Sequence, residues 1–477
     1  MVKSKISFEQ ISFLLQLFYV ILGIVCIVPL LKENLNFLYK YCLLLWLSCT
    51  FYYVFCKKRM QLTVNRFTIL IFSFVSILFI ITLSHLYEKG FMRNLKISIY
   101  TIFQFYFIAL ISKQTSPLKA ISRLHILNKI IICSITVISF LSLCVYFFNI
   151  NGEYYIFKNT EFEFKYYYGI AFNGRLTGIT SNPNDLGILA VIGIAAGILE
   201  YHSKKLIKKI YYIFTFLINY LTFLMTNSRG AEISLLAFLI FYITFSMRSF
   251  NIKKVYKSGY VLSFLLSLIL VLLLFASFNP TRKMIGYLPR ANPSQTHGIQ
   301  SNSSHPITQT NLIRNTENEK SGGGRIELWH IAISIVKDHP LVGVSVPKEA
   351  AIYYAPHLKN DRGVQSGSFH NIIIQTMVMY GFPGAVTLLF LMAILGINGI
   401  MSIRKKRYGQ YSKYLIFVTA VLFMFVINNM VEANILYTTN YMNAIFFIYF
   451  GFFLYFINHS HKGNTINAND TYPEFNP

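Results

Sequence analysis

Charge is scarce in this chain, and negative charge scarcer still. Only 13% of its 477 residues are Asp, Glu, Lys or Arg, with 43 basic against 18 acidic side chains. That excludes an ordinary soluble globule, because a chain that is 55% hydrophobic has too few interior positions to hide its apolar surface from water. Cysteine is sparse too. Cys26, Cys42, Cys49, Cys56, Cys133 and Cys144 all lie in or beside apolar blocks, and no two have CxxC spacing. A zinc site and a disulfide framework are therefore excluded, and these residues read as small core hydrophobes. No internal repeat is present, and the first apolar block lacks the small-residue cleavage site of a signal peptide.

What is present is a succession of apolar blocks about 17–25 residues long, the length needed to cross a hydrocarbon core of about 30 Å. They lie near 11–31, 37–56, 66–86, 94–112, 128–150, 184–200, 210–226, 230–247, 258–278, 371–400, 413–430 and 434–457. Unbroken apolar blocks satisfy their backbone in lipid only as helices. The chain thus reads as an all-α polytopic membrane protein of about twelve spans.

The net charge of +25 sits in short clusters between the blocks, not along a groove that would hold nucleic acid. The clusters are Lys57-Lys58-Arg59; Lys113, Lys119 and Arg123; Lys204-Lys205 with Lys208-Lys209; Lys253-Lys254 with Lys257; and Arg404-Lys405-Lys406-Arg407. They occupy alternate loops, so the positive-inside rule puts these loops and both termini on the cytoplasmic side. Two long segments then lie outside, 151–181 and 279–370. The second has a polar middle, 291–322, expected to be mobile, followed by an amphipathic helix with Ile326, Trp329, Ile333 and Val336 on one face. It is expected to end at Asp338-His339-Pro340. No second soluble domain is visible.

The spans starting near 184, 230 and 371 all run from outside to inside, so each turns a helix N-terminus, which favours anions, to the outer face. Ser181 or Asn182 can cap the first, with Pro183 at its first helical position. Arg175 precedes it, Arg229 sits in the short turn before the second, and His370-Asn371 opens the third. Arg325 opens the amphipathic helix. Arginine forks bind phosphate oxygens in pairs, and histidine can take a proton near neutral pH. The set suits transfer of a glycan from a lipid diphosphate to a hydroxyl, with Arg175, Arg229 and Arg325 on the diphosphate and His370 as base. Plainer roles stand beside these: Arg229 as a snorkelling boundary arginine, Arg175 and Arg325 as solvated loop charges, His370 as a helix cap. Glu432 reads as a boundary carboxylate, or as a group that orients an arginine or holds a sugar hydroxyl. Asp185 and Glu232 read as helix-dipole partners.

At these residues the sequence resembles the O-antigen ligase/polymerase family. The matching stretches are Arg175-Leu176-Thr177-Gly178 with Ser181-Asn182-Pro183-Asn184; Thr226-Asn227-Ser228-Arg229-Gly230; Gly324-Arg325-Ile326-Glu327-Leu328-Trp329 with Pro340-Leu341-Val342-Gly343; and His370-Asn371 with Tyr380-Gly381. The family's Gly-x-Gly is here Gly343-Val344-Ser345, and the first five spans carry no recognisable motif. The resemblance implies a bacterial inner-membrane enzyme related in fold to membrane glycosyltransferases of the GT-C type. It further implies an undecaprenyl-diphosphate-linked glycan as donor, and metal-independent transfer with inversion and no cofactor. Arg175, Arg229 and Arg325 would touch the diphosphate, His370 would activate the acceptor, and Asn184, Asn371 and Glu432 would support them. Within this frame 1–150 are N-terminal spans, 151–400 the core, 401–458 the C-terminal spans and 459–477 a cytoplasmic tail.

Heavy use of Lys, Ile, Asn, Phe and Tyr points to an AT-rich genome and a Gram-positive cell without lipid A. Polymerisation of a capsular or cell-wall polysaccharide is therefore the first expectation, with a flippase and a chain-length regulator as partners by resemblance. A ligase acting on lipid A core or protein is the alternative. A glycolipid flippase is the rival from another class, disfavoured because the spans have almost no ionisable residues at mid-depth.

Overall fold

The computed structural model describes residues 8–52, 66–105, 116–156, 164–171, 174–180, 182–201, 206–247, 259–288, 324–359, 362–404, 411–438 and 440–461. Outside them fall Ser181, the 291–322 stretch, the tail beyond 461 and most of the basic-loop residues.

Every apolar block contains a helix. In chain order these are α1 (Phe8–Val25), α2 (Pro29–Phe51), α3 (Arg66–Ser84), α4 (Phe91–Phe103), α5 (Pro117–Phe147), α6 (Pro183–Glu200), α7 (Leu206–Thr226), α8 (Arg229–Met247) and α9 (Gly259–Gly286). After the outer loop, which carries α10 (Arg325–Asp338), α11 (Pro347–Tyr354) and α12 (Arg362–Ser366), come α13 (Ile372–Arg404), α14 (Ser412–Asn429) and α15 (Tyr441–His461). Eight of the described helices, α5 to α9 and α13 to α15, are long and apolar enough to cross a bilayer. The apolar parts of α1 and α3 are shorter, 10–25 and 69–84. One continuous apolar core joins the helices outside the loop.

Between α5 and α6 the tyrosine-rich segment folds as a three-stranded antiparallel meander, β1 (Gly152–Ile156), β2 (Phe164–Ile170) and β3 (Leu176–Gly178). Tyrosine, phenylalanine and isoleucine, all enriched in strands, dominate β1 and β2. The meander ends on β3, so Arg175 and the α6 start are set by strand pairing and not by a free loop.

The outer loop builds a second, smaller core from Leu328, Ile331, Ala332, Ile335, Ala351, Val364 and Phe369. This shifts the expected face of α10, of which Val336 is buried in the loop core as expected. Ile326 and Ile333 are each 45% exposed, whereas Leu328, Ile331, Ala332 and Ile335 are buried. Both stripes have helical spacing. The loop's own α11 and α12 supply partners for one of them, and packing rather than period chose it. The helix does end at Asp338.

This loop is locked to the bundle at a break in α13. Gly381 has φ +64 and interrupts the helical ladder. The Phe382 N–H donates instead to Pro340 O (2.7 Å), and the orphaned Val378 carbonyl accepts from Val344 N–H (2.8 Å). Both groups freed by the kink are thus satisfied by the Pro340–Gly343 turn, as a membrane environment demands. Gly343 has φ +65, and a Cβ there would stand 2.5 Å from Val378 O. One at Gly381 would stand 2.5 Å from the Leu341 carbonyl. Ser345, where the family has glycine, is buried; its Oγ donates to Lys89 O (3.1 Å) and its carbonyl accepts from Asn94 Nδ2 (2.7 Å). His85 adds a 3.0 Å contact to Val342 O. The α3–α4 turn, in a region without motifs, therefore clamps the outer loop. Gly381→Ala is expected to cost about 1–3 kcal/mol from backbone strain alone, with the clash added. Lower thermal stability and new protease cleavage near 340–346 would show it; a variant as stable and as resistant as wild type would refute this account.

Candidate active site

The site is a carboxylate with three partners, each from a different segment. Glu432 sits in the turn between α14 and α15, 13% exposed. Its Oε1 accepts from Arg325 Nη2 at 2.6 Å and from Asn184 Nδ2 at 3.2 Å. Its Oε2 lies 2.9 Å from His370 Nδ1. The ring carries its proton on Nδ1, since the carboxylate only accepts, and that leaves Nε2 as a base.

The turn that presents Glu432 is built to be stiff. Asn429 Oδ1 accepts from the N–H groups of Asn434 (2.7 Å) and Ile435 (3.0 Å). Asn443 Nδ2 donates to Ile435 O at 2.8 Å, and the Tyr437 hydroxyl meets Thr376 Oγ1 at 2.8 Å. Burial, reinforced by nearby Tyr380, pushes the Tyr437 phenol well above its ordinary range, so it stays neutral in this contact.

Each partner is placed by a short-range device. Asn182 caps α6, its Oδ1 accepting from Asn184 N–H at 3.0 Å, with Pro183 at the first helical position. Asn184 then points outward as a two-sided amide. Its Oδ1 accepts from Arg175 Nη2 (2.6 Å) and Ser228 Oγ (3.2 Å) while Nδ2 serves Glu432. Gly324, with φ +79, starts α10 so that Arg325 is its first residue. Trp329, one turn on, donates from Nε1 to Phe369 O at 2.9 Å, tying the Arg325 motif to the His370 motif. His370 adopts φ +50, a region L-residues seldom occupy. Among the described residues, the other non-glycine positive-φ positions are Asn149, Asn227 and Tyr437, all in turns at this end of the bundle. Strain gathered at one end is a mark of a functional face.

The sequence-derived residues divide accordingly. Arg325, His370 and Asn184 touch Glu432 directly. Arg175 is 7% exposed and stands behind Asn184, its Nε donating to Thr226 O at 2.9 Å. Arg229 opens α8 as an exposed residue whose side chain makes no hydrogen bond or ion pair among the described residues. Its neighbour Gly230 faces Val431, so Arg229 borders the Glu432 turn without joining the network. Asn371, not His370, caps α13: Oδ1 accepts from Ile373 N–H (2.9 Å) and Ile374 N–H (3.1 Å). Its Nδ2 donates to Met430 O at 2.9 Å, anchoring the Glu432 turn to the start of α13.

Other contacts escaped the sequence reading. Glu232 is more than a dipole partner: it pairs with Arg282 at the end of α9, both buried, and Arg282 Nε also donates to Leu224 O at 2.8 Å. Asp185 accepts from Asn182 Nδ2 (2.7 Å) and from the Tyr441 hydroxyl (3.3 Å) beside the site. Arg282 follows Pro280 inside an apolar helix, and that placement was its only signal.

Chemically, the cluster offers a guanidinium fixed at one edge, a histidine oriented by a carboxylate, and an amide that donates to the same carboxylate. That is the arrangement of an oriented general base beside an anion-binding edge. Residues 214–389 match the family model described as O-antigen ligase. No curated protein matches the chain. The matched stretch contains Arg229, Arg325 and His370, while Arg175, Asn184 and Glu432 lie outside it. The match over this part of the chain, together with a bundle of helices long and apolar enough to cross a membrane, supports a multi-pass membrane protein similar to the O-antigen ligase/polymerase family, whose members act on lipid-linked oligosaccharides.

Proposed function

We propose that the protein is a polymerase of a surface polysaccharide, acting on the outer face of a bacterial cytoplasmic membrane. It transfers a growing glycan from undecaprenyl diphosphate to a hydroxyl of a lipid-linked repeat unit. The observation that carries this reading is the meeting of Arg325, His370 and Asn184 on Glu432. In the proposed reaction His370 Nε2 takes the proton of the acceptor hydroxyl as its oxygen attacks the anomeric carbon. The bond from that carbon to the diphosphate oxygen breaks, with inversion, and the lipid diphosphate leaves with the electron pair. Arg325 and exposed Arg229 hold the leaving diphosphate, and Arg175 adds its positive field from behind Asn184. Asn371 serves the site through the Glu432 turn.

The outward orientation is supported by the basic clusters on the loops at the other end of the helices. A transporter reading is disfavoured by where buried charge lies. Among the described residues, buried His85, Arg175, Glu200, Glu232 and Arg282 all sit at helix ends or in connections, leaving mid-span without a charged path.

The test is to supply the purified full-length protein in nanodiscs with lipid-linked repeat units alone. A ladder of lengthening chains is the expected result. Product that appears only after lipid A core or an acceptor protein is added identifies a ligase. Movement of the glycolipid between leaflets with no new glycosidic bond would overturn the enzymatic reading altogether.

A further inference from the structure

From the Arg404 end of α13 to Val426 in the last turn of α14, the helices part around a cavity of about 700 Å³. It lies between α8, α9, α13 and α14, with α15 as its floor. That volume falls within the range of small-molecule sites, roughly 300–1,000 Å³. The walls are apolar: Phe241, Phe264, Leu395 and Phe423 among them, over buried Phe450 and Phe453. Phe264 and Phe423 are 44% and 39% exposed, so the cavity opens sideways toward lipid and is not a sealed void.

Among the described residues that line it, one is charged. Arg404 is the last residue of the 33-residue helix α13, whose first turn adjoins His370. Its guanidinium carbon lies 5.0 Å from the Tyr260 ring centre, a cation–π contact that holds the group at the cavity's edge. In sequence, 248–258 between α8 and α9 and 404–413 between α13 and α14 hold nine basic residues and no acidic one. A diphosphate bound at Arg325 would have its charge at the opposite end, so the tail of such a lipid does not account for Arg404. The pattern fits a molecule with an anionic head at this edge and apolar chains reaching toward the bilayer centre.

We propose that this cavity is a binding site for one anionic glycerophospholipid of the leaflet opposite the Glu432 face. The phosphate sits on Arg404 and the acyl chains lie along Phe264, Leu395 and Phe423. A basic residue at the mouth of an apolar gap between helices is the arrangement that recognises anionic head groups. The lipid fills the space between α8 and α13. The site is independent of glycan transfer and stands or falls separately from it.

Gly396 supplies the means to test it. Gly396 lines the cavity and a Cβ there meets nothing within 4 Å, so a larger side chain is expected to take up cavity space. The full-length protein, delipidated in detergent, is titrated with dioleoylphosphatidylglycerol or dioleoylphosphatidylcholine and followed by native mass spectrometry. A Phe423→Trp reporter quenched by chain-brominated forms of each lipid locates the binding; the natural background is only two tryptophans. One phosphatidylglycerol per chain is expected, favoured about fivefold over phosphatidylcholine. Arg404→Gln should bring that preference to about one, and Gly396→Phe should weaken both lipids at least about tenfold. Equal retention of the two lipids by the wild type would overturn the proposal. So would undiminished binding to Gly396→Phe, or quenching of the reporter by a brominated polyprenyl chain but not by phosphatidylglycerol.

Discussion

His370→Ala should lower the rate of glycan transfer by roughly 10²–10⁴-fold while the protein still binds its lipid-linked donor. The size follows from what a positioned base contributes, and the survival of binding follows from geometry. Arg325 keeps its 2.6 Å contact to Glu432 when the imidazole is gone, so the anion-binding edge stays in place. His370 is also in a left-handed backbone conformation. Alanine suffers the same strain there, and His370→Asn, which tolerates that region well, is the control for folding. Both variants should be inactive. Either one transferring glycan at the wild-type rate would show that the proton goes elsewhere.

Glu432→Gln should be nearly as damaging, through a different cause. Oε1 accepts from both Arg325 and Asn184, so the amide oxygen of glutamine will take that position. The NH₂ group is then left facing His370 Nδ1, where the carboxylate had been an acceptor at 2.9 Å. Two donors cannot share that contact. The imidazole responds by moving its proton to Nε2, the atom that takes the acceptor's proton in the proposed reaction. In the Ser-His-Asp triad the corresponding Asp→Asn change costs on the order of 10⁴ in turnover through the same wrong tautomer. A loss of roughly 10³–10⁴ in turnover with little change in donor KM is therefore expected here. Nitrogen chemical shifts of the His370 ring would report the tautomer directly. Activity within about threefold of wild type, or an unchanged ring tautomer, would reduce Glu432 to a structural carboxylate.

Glu432 also shows where a sequence stops being readable. It is 62 residues from His370, 107 from Arg325 and 248 from Asn184, so its sequence left a boundary carboxylate and an arginine-orienting group as equal readings, and nothing local named its partners. The four stretches that resemble the family were legible one by one because each is a local device: a cap at Asn182, a proline at 183, glycines at turns, an arginine opening a helix. Why Pro340–Gly343 and Tyr380-Gly381 belong together was not legible. That depends on reciprocal bonds between Phe382 and Pro340 and between Val344 and Val378, which no spacing rule contains. The α10 face was misread for a related reason, since two apolar stripes compete on one short helix and only the packed neighbours decide. Arg175 and Arg229 look alike in the chain, yet one is buried behind Asn184 and the other is exposed.

The sequence by itself determined the class of protein, the places of the apolar helices and the residues that start α6, α8 and α13. Those are properties of stretches no longer than about 25 residues, set by hydrophobic length and by caps. Only the tertiary structure decided which polar groups meet. Bonds across tens to hundreds of residues depend on how helices pack and where they kink, and those choices are made by the whole core at once.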